Sequence, residues 1–93
     1  MGSYLMGIDA GNTSSKVVIF DTEGNIISTA ATPSMHFKKR GEGFEEFDVD
    51  ELWNLISNCL GEAVKKAEIS PNEIKGIGVT SFGNGIVFVG KEG

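Results

Sequence analysis

Four consecutive apolar residues, Val17-Val18-Ile19-Phe20, constrain the fold of this 93-residue chain more than any other feature. The first three are β-branched, which stiffens the side chain and favours extended backbone. A half-wet strand alternates apolar and polar positions, whereas this one is apolar on both faces. Such a strand belongs inside a layered sheet, with material packed above and below it.

The surrounding segments extend that reading. Tyr4 to Ile8 is a short apolar run and predicts a first strand ahead of this second one. "DTEGN" supplies turn chemistry: Asp21 and Asn25 tolerate bends, and Gly24 takes positive φ. Ile26 to Thr32 predicts a third strand, returning antiparallel and ended by Pro33. "SMHFKKRGEG" reads as a polar connection, and Phe44 to Phe47 as a short edge strand. Asp48, three residues before Glu51, matches a capping box with Asp in the Ser/Thr role. Leu52, Leu55, Ile56, Cys59, Leu60, Ala63, Val64 and Ala67 follow at helical spacing. They form one apolar stripe on a helix of about five turns, stopped by Ser70-Pro71. Glu62, Lys65, Lys66 and Glu68 face outward. "IKGIGVTSF" predicts another strand, "GNG" a bend and "IVFVG" a further strand. The order β-β-β-α-β-β fits an α/β or α+β domain with a helix packed on a mixed sheet.

Composition excludes several function classes. The net charge of −5 repels nucleic acid and anionic membrane, so neither is an expected partner. No apolar run reaches the ~18 residues of a membrane span. Cys59 is the sole cysteine, which leaves no internal disulfide and points to a reducing, cytoplasmic setting. "MGSYLMGID" carries no charged leader followed by a long apolar core, so no secretory signal is expected.

The chemistry concentrates between the first two strands, in "GIDAGNTSSKVVIFD". A two-residue hairpin turn needs none of Asp9, Gly11, Asn12, Thr13, Ser14, Ser15 and Lys16. The loop lacks the second glycine and following Ser/Thr of a Walker A motif, and no G-x-G-x-x-G opens a helix here. A hairpin can nonetheless hold phosphate on converging amides and hydroxyls, with a neighbouring carboxylate on Mg²⁺. By residue type alone, the loop is either that or a decorated turn.

"GIDAGNTSSKVVIFDTEGNII" resembles the first phosphate motif of the sugar kinase, heat-shock chaperone and actin superfamily. "GFEEFDVDELW" is similar to a segment of the FGGY carbohydrate kinases, and "IKGIGVTSFGNGIVFVGKEG" to their next strand and sugar-contacting loop. The Gly-x-Gly form of that loop places the L-xylulose kinase-like subgroup nearest. The resemblance implies a truncated actin-like ATPase (ribonuclease H-like) α/β domain, with residues 1–93 as an N-terminal fragment of the first domain. It implies ATP and Mg²⁺ as cofactors and transfer of the γ-phosphoryl group to a pentulose or related sugar or polyol.

Residue by residue, Asp9 stands where the family holds its metal-associated carboxylate. Gly11 belongs to the same phosphate-binding bend. Asn12, Thr13 and Ser14 stand along the ATP phosphates, and Lys16 where relatives carry Arg or Lys facing them. Gly83 and Asn84 stand at the sugar, but depart from the Arg or Met and the Glu or His usual there. Asn12 for Thr and Phe44 for Trp are milder departures. The family's base is an Asp from a later segment and its adenine pocket lies in a second domain, so no catalytic base is expected here. Two other classes fit the first motif: an ATPase that activates another enzyme, and a non-enzymatic binding module.

The remaining chemistry-bearing residues read as structural. Cys59 falls on the helix stripe as core, Trp53 borders it as packing, and His36 stands alone in a polar loop. Lys38-Lys39-Arg40 reads as a solvated cluster. Cut sheet edges suggest pairing between copies as a homo-oligomer.

Overall fold

The computed structural model describes residues 2–11, 14–33, 37–39, 45–81 and 91, with the backbone alone for 37–39 and 45–47. Three strands, β1 (Tyr4–Ala10), β2 (Ser15–Asp21) and β3 (Ile26–Ala31), form an antiparallel meander. After two short strands, β4 (Phe37–Lys39) and β5 (Glu45–Phe47), comes the helix α1 (Val49–Ala67). A 3₁₀ turn at Pro71–Glu73 then leads into β6 (Ile74–Ser81), which runs parallel to β1. The sheet order is β3-β2-β1-β6. This is the expected mixed sheet with a helix and a further strand; the expected bend and last arm lie outside the described residues.

Local chemistry explains each boundary. Between β2 and β3 the Asp21 carboxylate accepts from the Glu23 and Asn25 backbone N–H groups and from Asn25 Nδ2, each at 2.9 Å. Gly24 takes φ +89° there, a conformation that favours glycine. These bonds, the Asn25 side chain first, hold the Asp21 carboxyl below its usual pKa. At α1, Asp48 is the N-cap: its side chain accepts from Asp50 N at 2.9 Å and Glu51 N at 3.4 Å. The helix ends before the expected Ser70-Pro71. Glu68 adopts the left-handed conformation at φ 56° and donates its N–H to the Lys65 carbonyl. Ser70 instead caps the 3₁₀ turn.

The segment expected as a plain polar connection contains a strand. β4 pairs with β5 so that Lys38 stands opposite Glu46 and Lys39 opposite Glu45 by register.

The helix packs over β2 and β3. Met6, Val17, Ile19 and Ala30 from the sheet meet Cys59 and Ala63 from α1 in the core. The buried polar groups on this face are bonded. Ser28 Oγ donates to the Ala63 carbonyl at 2.7 Å, and Ser15 N donates to Thr32 Oγ1 at 2.9 Å. Cys59 is core, as expected, and burial pushes its thiol up, away from nucleophilic character. Trp53, expected to pack, is 67% exposed because it falls beside the stripe on the outer side of the first helical turns.

The double-sided coverage expected for β2 is met on one face. Val17 and Ile19 are fully buried beneath α1. Val18 and Phe20 point to the other face and are half-buried beside an open cavity. The helix also stops short of β6, whose Ile77 and Val79 are 60% and 68% exposed.

Glu73 ties two ends together. Its carboxylate accepts from Ser70 N and from Gly2 N, both at 2.8 Å, and these bonds hold its pKa below the usual 4.5. A carboxyl depressed in the folded state contributes stability above its unfolded pKa and loses it as pH falls through the folded value. Wild type is therefore expected to melt higher than Glu73→Gln at neutral pH, with the gap closing as pH drops below 4.5. Thermal melts across that range check it; a gap independent of pH contradicts the assignment. The carboxylate is solvent-exposed, so a small effect is expected.

Candidate functional site

Parallel pairing brings the carboxyl ends of β1 and β6 side by side, and the antiparallel turn brings the start of β2 to the same end. Ligand sites in open α/β sheets favour that end. Register then decides which side chains share a face. Asp9 stands opposite Lys16 on β2 and opposite Thr80 on β6. One polar row, Lys16–Asp9–Thr80, therefore crosses three strands on the face away from α1.

The next row inward is Val18–Gly7–Gly78 by the same register. Two of its three positions carry no side chain. A Cβ on Gly78 would meet nothing within 4 Å, and one on Gly7 would reach Phe20 at an ordinary 3.7 Å. The glycines thus leave space, and an open cavity of about 470 Å³ lies there. Val18 and Phe20 give it an apolar wall, and Asp9, Lys16 and Thr80 a polar rim. Asp9, Lys16 and Thr80 are exposed.

The bend between β1 and β2 depends on Gly11. A Cβ at that position would run into the Ser14 carbonyl oxygen, and it would stand 4.0 Å from Asp9 Oδ1. Any other residue forces the bend open beside the Asp9 carboxylate. Ser14 is exposed at the end of the bend. Ser15 belongs to β2 and turns into the core, 2% exposed, so it takes no part in the rim.

The structure therefore brings together Asp9, Gly11, Ser14 and Lys16 of the expected site. Asn12, Thr13, Gly83 and Asn84 lie outside the described residues. β6 ends at Ser81, paired with Ala10 at the end of β1. Reading the sequence missed Thr80 and Gly78. Neither has a local signal, because only the β1–β6 register puts them next to Asp9 and Gly7. Among the described residues no group of three His, Cys, Asp or Glu side chains forms a metal cluster.

Comparison with known proteins narrows the arrangement. A family model described as "FGGY family of carbohydrate kinases, N-terminal domain" matches residues 4–93. The chain is 36% identical over 89 residues to the protein named "Probable L-xylulose kinase" of Haemophilus influenzae, covering 96% of this chain and 18% of that relative. It superposes on the glycerol kinase of Plasmodium falciparum with ADP at TM-score 0.73 and 26% identity, over 86% of this chain and 16% of that one. It also superposes on the activator of a 2-hydroxyisocaproyl-CoA dehydratase from Clostridium difficile, at TM-score 0.60 and 28% identity, over 86% of this chain and 24% of that one. The chain thus spans about a fifth of the length of the curated relative. With the family model running from the first strand to residue 93, the chain belongs to the FGGY family of carbohydrate kinases.

Proposed function

We propose that this domain supplies the phosphate-binding bend and part of the sugar wall of an ATP-dependent kinase. The acceptor would be a hydroxyl of a pentulose or related sugar or polyol. The observation that carries the reading is the Gly11-dependent bend, which sets Asp9 and Lys16 opposite each other at the rim of an open cavity.

Phosphoryl transfer is mostly positioning and charge compensation. Lys16 contributes a compact cationic head for phosphate oxygens. Ser14, with Asn12 and Thr13, offers donors along the phosphates. Asp9 is an exposed carboxylate, with no ligand cluster around it among the described residues. That fits Mg²⁺, which is commonly held by one or two carboxylates together with water and substrate phosphates. When bound, Mg²⁺–ATP supplies the transferable phosphoryl group and spreads its charge. The general base and the adenine pocket belong to segments beyond these residues. A cytoplasmic location, and pairing of copies through the edges β3 and β6, form part of the same proposal.

The activator reading is weaker on this chain. Those proteins bring cysteines for an iron–sulfur cluster, whereas Cys59 is 3% exposed in the core. The test is ADP release by the whole kinase with a panel of pentuloses, pentitols and glycerol. Acceptor-dependent ADP release is expected, and a panel in which no acceptor stimulates it overturns the proposal.

Asn84 gives a second test, on the sugar side. Its amide offers two donors and an acceptor to vicinal hydroxyls. Gly83 and Gly85 flank it and permit close approach of the backbone to a ligand. Asn84→Leu is expected to raise the sugar KM roughly tenfold while leaving the ATP KM near normal. If both constants stay unchanged, Asn84 is outside the site.

A further inference from the structure

We infer that Thr80 is a further phosphate contact of this site, its hydroxyl donating to an oxygen of the transferred phosphoryl group. The inference rests on the reading of the Asp9–Lys16 bend as a phosphate site and adds a residue from a different strand.

Three observations converge on Thr80. Its register places it directly beside Asp9, on the same sheet face as Lys16. Adjacent strands lie about 4.8 Å apart, so Lys16 and Thr80 flank Asp9 across roughly 10 Å. The long Lys16 stem spans most of that gap, and a phosphoryl group above Asp9 would come within reach of both. Thr80 also lines the cavity, and among the described residues its side chain has no hydrogen-bond partner. An exposed hydroxyl at a rim has a donor to give. Finally, Thr80 pairs with the strand that ends at the bend and lies just ahead, in sequence, of the residues expected at the sugar. The phosphate bend begins beside it on β1, and the segment with Gly83 and Asn84 follows it by three residues.

The neighbouring Gly78 supports the placement. Two residues before Thr80 and on the same face, it leaves the cavity open beneath the row. A threonine serving only strand propensity needs no such clearance.

The decisive substitution is Thr80→Val, which keeps the β-branched shape and removes the hydroxyl. Melting temperature is expected to stay close to wild type. In the whole kinase, kcat is expected to fall about tenfold with the sugar KM unchanged. Calorimetric titration with Mg²⁺–tripolyphosphate, which lacks both adenine and sugar, is expected to show affinity lowered about fivefold. Thr80→Ser restores both. Wild-type kcat and tripolyphosphate affinity in Thr80→Val, alongside losses in Lys16→Met, overturn the inference and leave the phosphate-site reading standing. A rise confined to the sugar KM also overturns it. If Lys16→Met and Asp9→Ala are silent in both measurements, the phosphate-site reading itself falls and takes Thr80 with it.

Discussion

Asp9→Ala in the whole kinase is expected to lower kcat roughly 100- to 1,000-fold, with the sugar KM little changed. The carboxylate stands one residue before the end of β1, at the rim of the cavity and beside the bend that only glycine at position 11 permits. Charge on the transferred phosphoryl group shifts most between ground state and transition state. A metal held by Asp9 is therefore worth most at the barrier, and its loss appears in turnover rather than in binding. Gly83 and Asn84, the residues expected at the sugar, follow β6 in sequence rather than β1, so the sugar KM is expected to be the less sensitive constant. Steady-state kinetics at saturating Mg²⁺ and ATP check this. Asp9→Asn refines it: the isostere keeps the bend and loses the charge, so it should resemble alanine. Normal turnover in Asp9→Ala would remove the metal assignment. A raised sugar KM with normal kcat would move Asp9 to the acceptor side.

What the sequence revealed and what it hid divide along a physical line. Features fixed by near neighbours were legible. The Asp48 cap, the stripe from Leu52 to Ala67 and the turn at Asp21–Asn25 each declare themselves within a few residues. The stretch Gly11–Lys16 stands out in the sequence because its residue types exceed what a turn requires. Features fixed by pairing at long range were not. Thr80 gains meaning only through a parallel strand about 70 residues from Asp9 in sequence, and parallel register has no local signature. The strand β4 was hidden for a related reason: Phe37–Lys39 becomes extended by pairing with Glu45–Phe47, not by its own composition. The run Val17–Phe20 correctly signalled an inner strand. It could not show that α1 covers one of its faces while the other borders a cavity.

That one-sided coverage makes Ile19→Ala the substitution expected to damage folding most, by about 2–5 kcal/mol. Ile19 and Val17 are the largest fully buried side chains among the described residues. The rest of this core is smaller or less enclosed: Ala30, Ala63, Cys59 and the 6%-exposed Met6. Ile19 stands opposite Met6 on β1 and Ser28 on β3, in the middle of the surface that α1 covers. Ser28 holds the Ala63 carbonyl from the same position, which ties the helix to the sheet there and limits collapse into a void. A cavity that cannot collapse costs more than the lost methyl groups alone. Small domains hold only about 5–15 kcal/mol in all, so this loss is a large share. Ile27→Ala is the control: the side chain is 39% exposed on β3, and its removal is expected to cost well under half as much. Urea midpoints of the two variants decide it. Equal midpoints would show that the sheet–helix contact at Ile19 does not carry the stability of this domain.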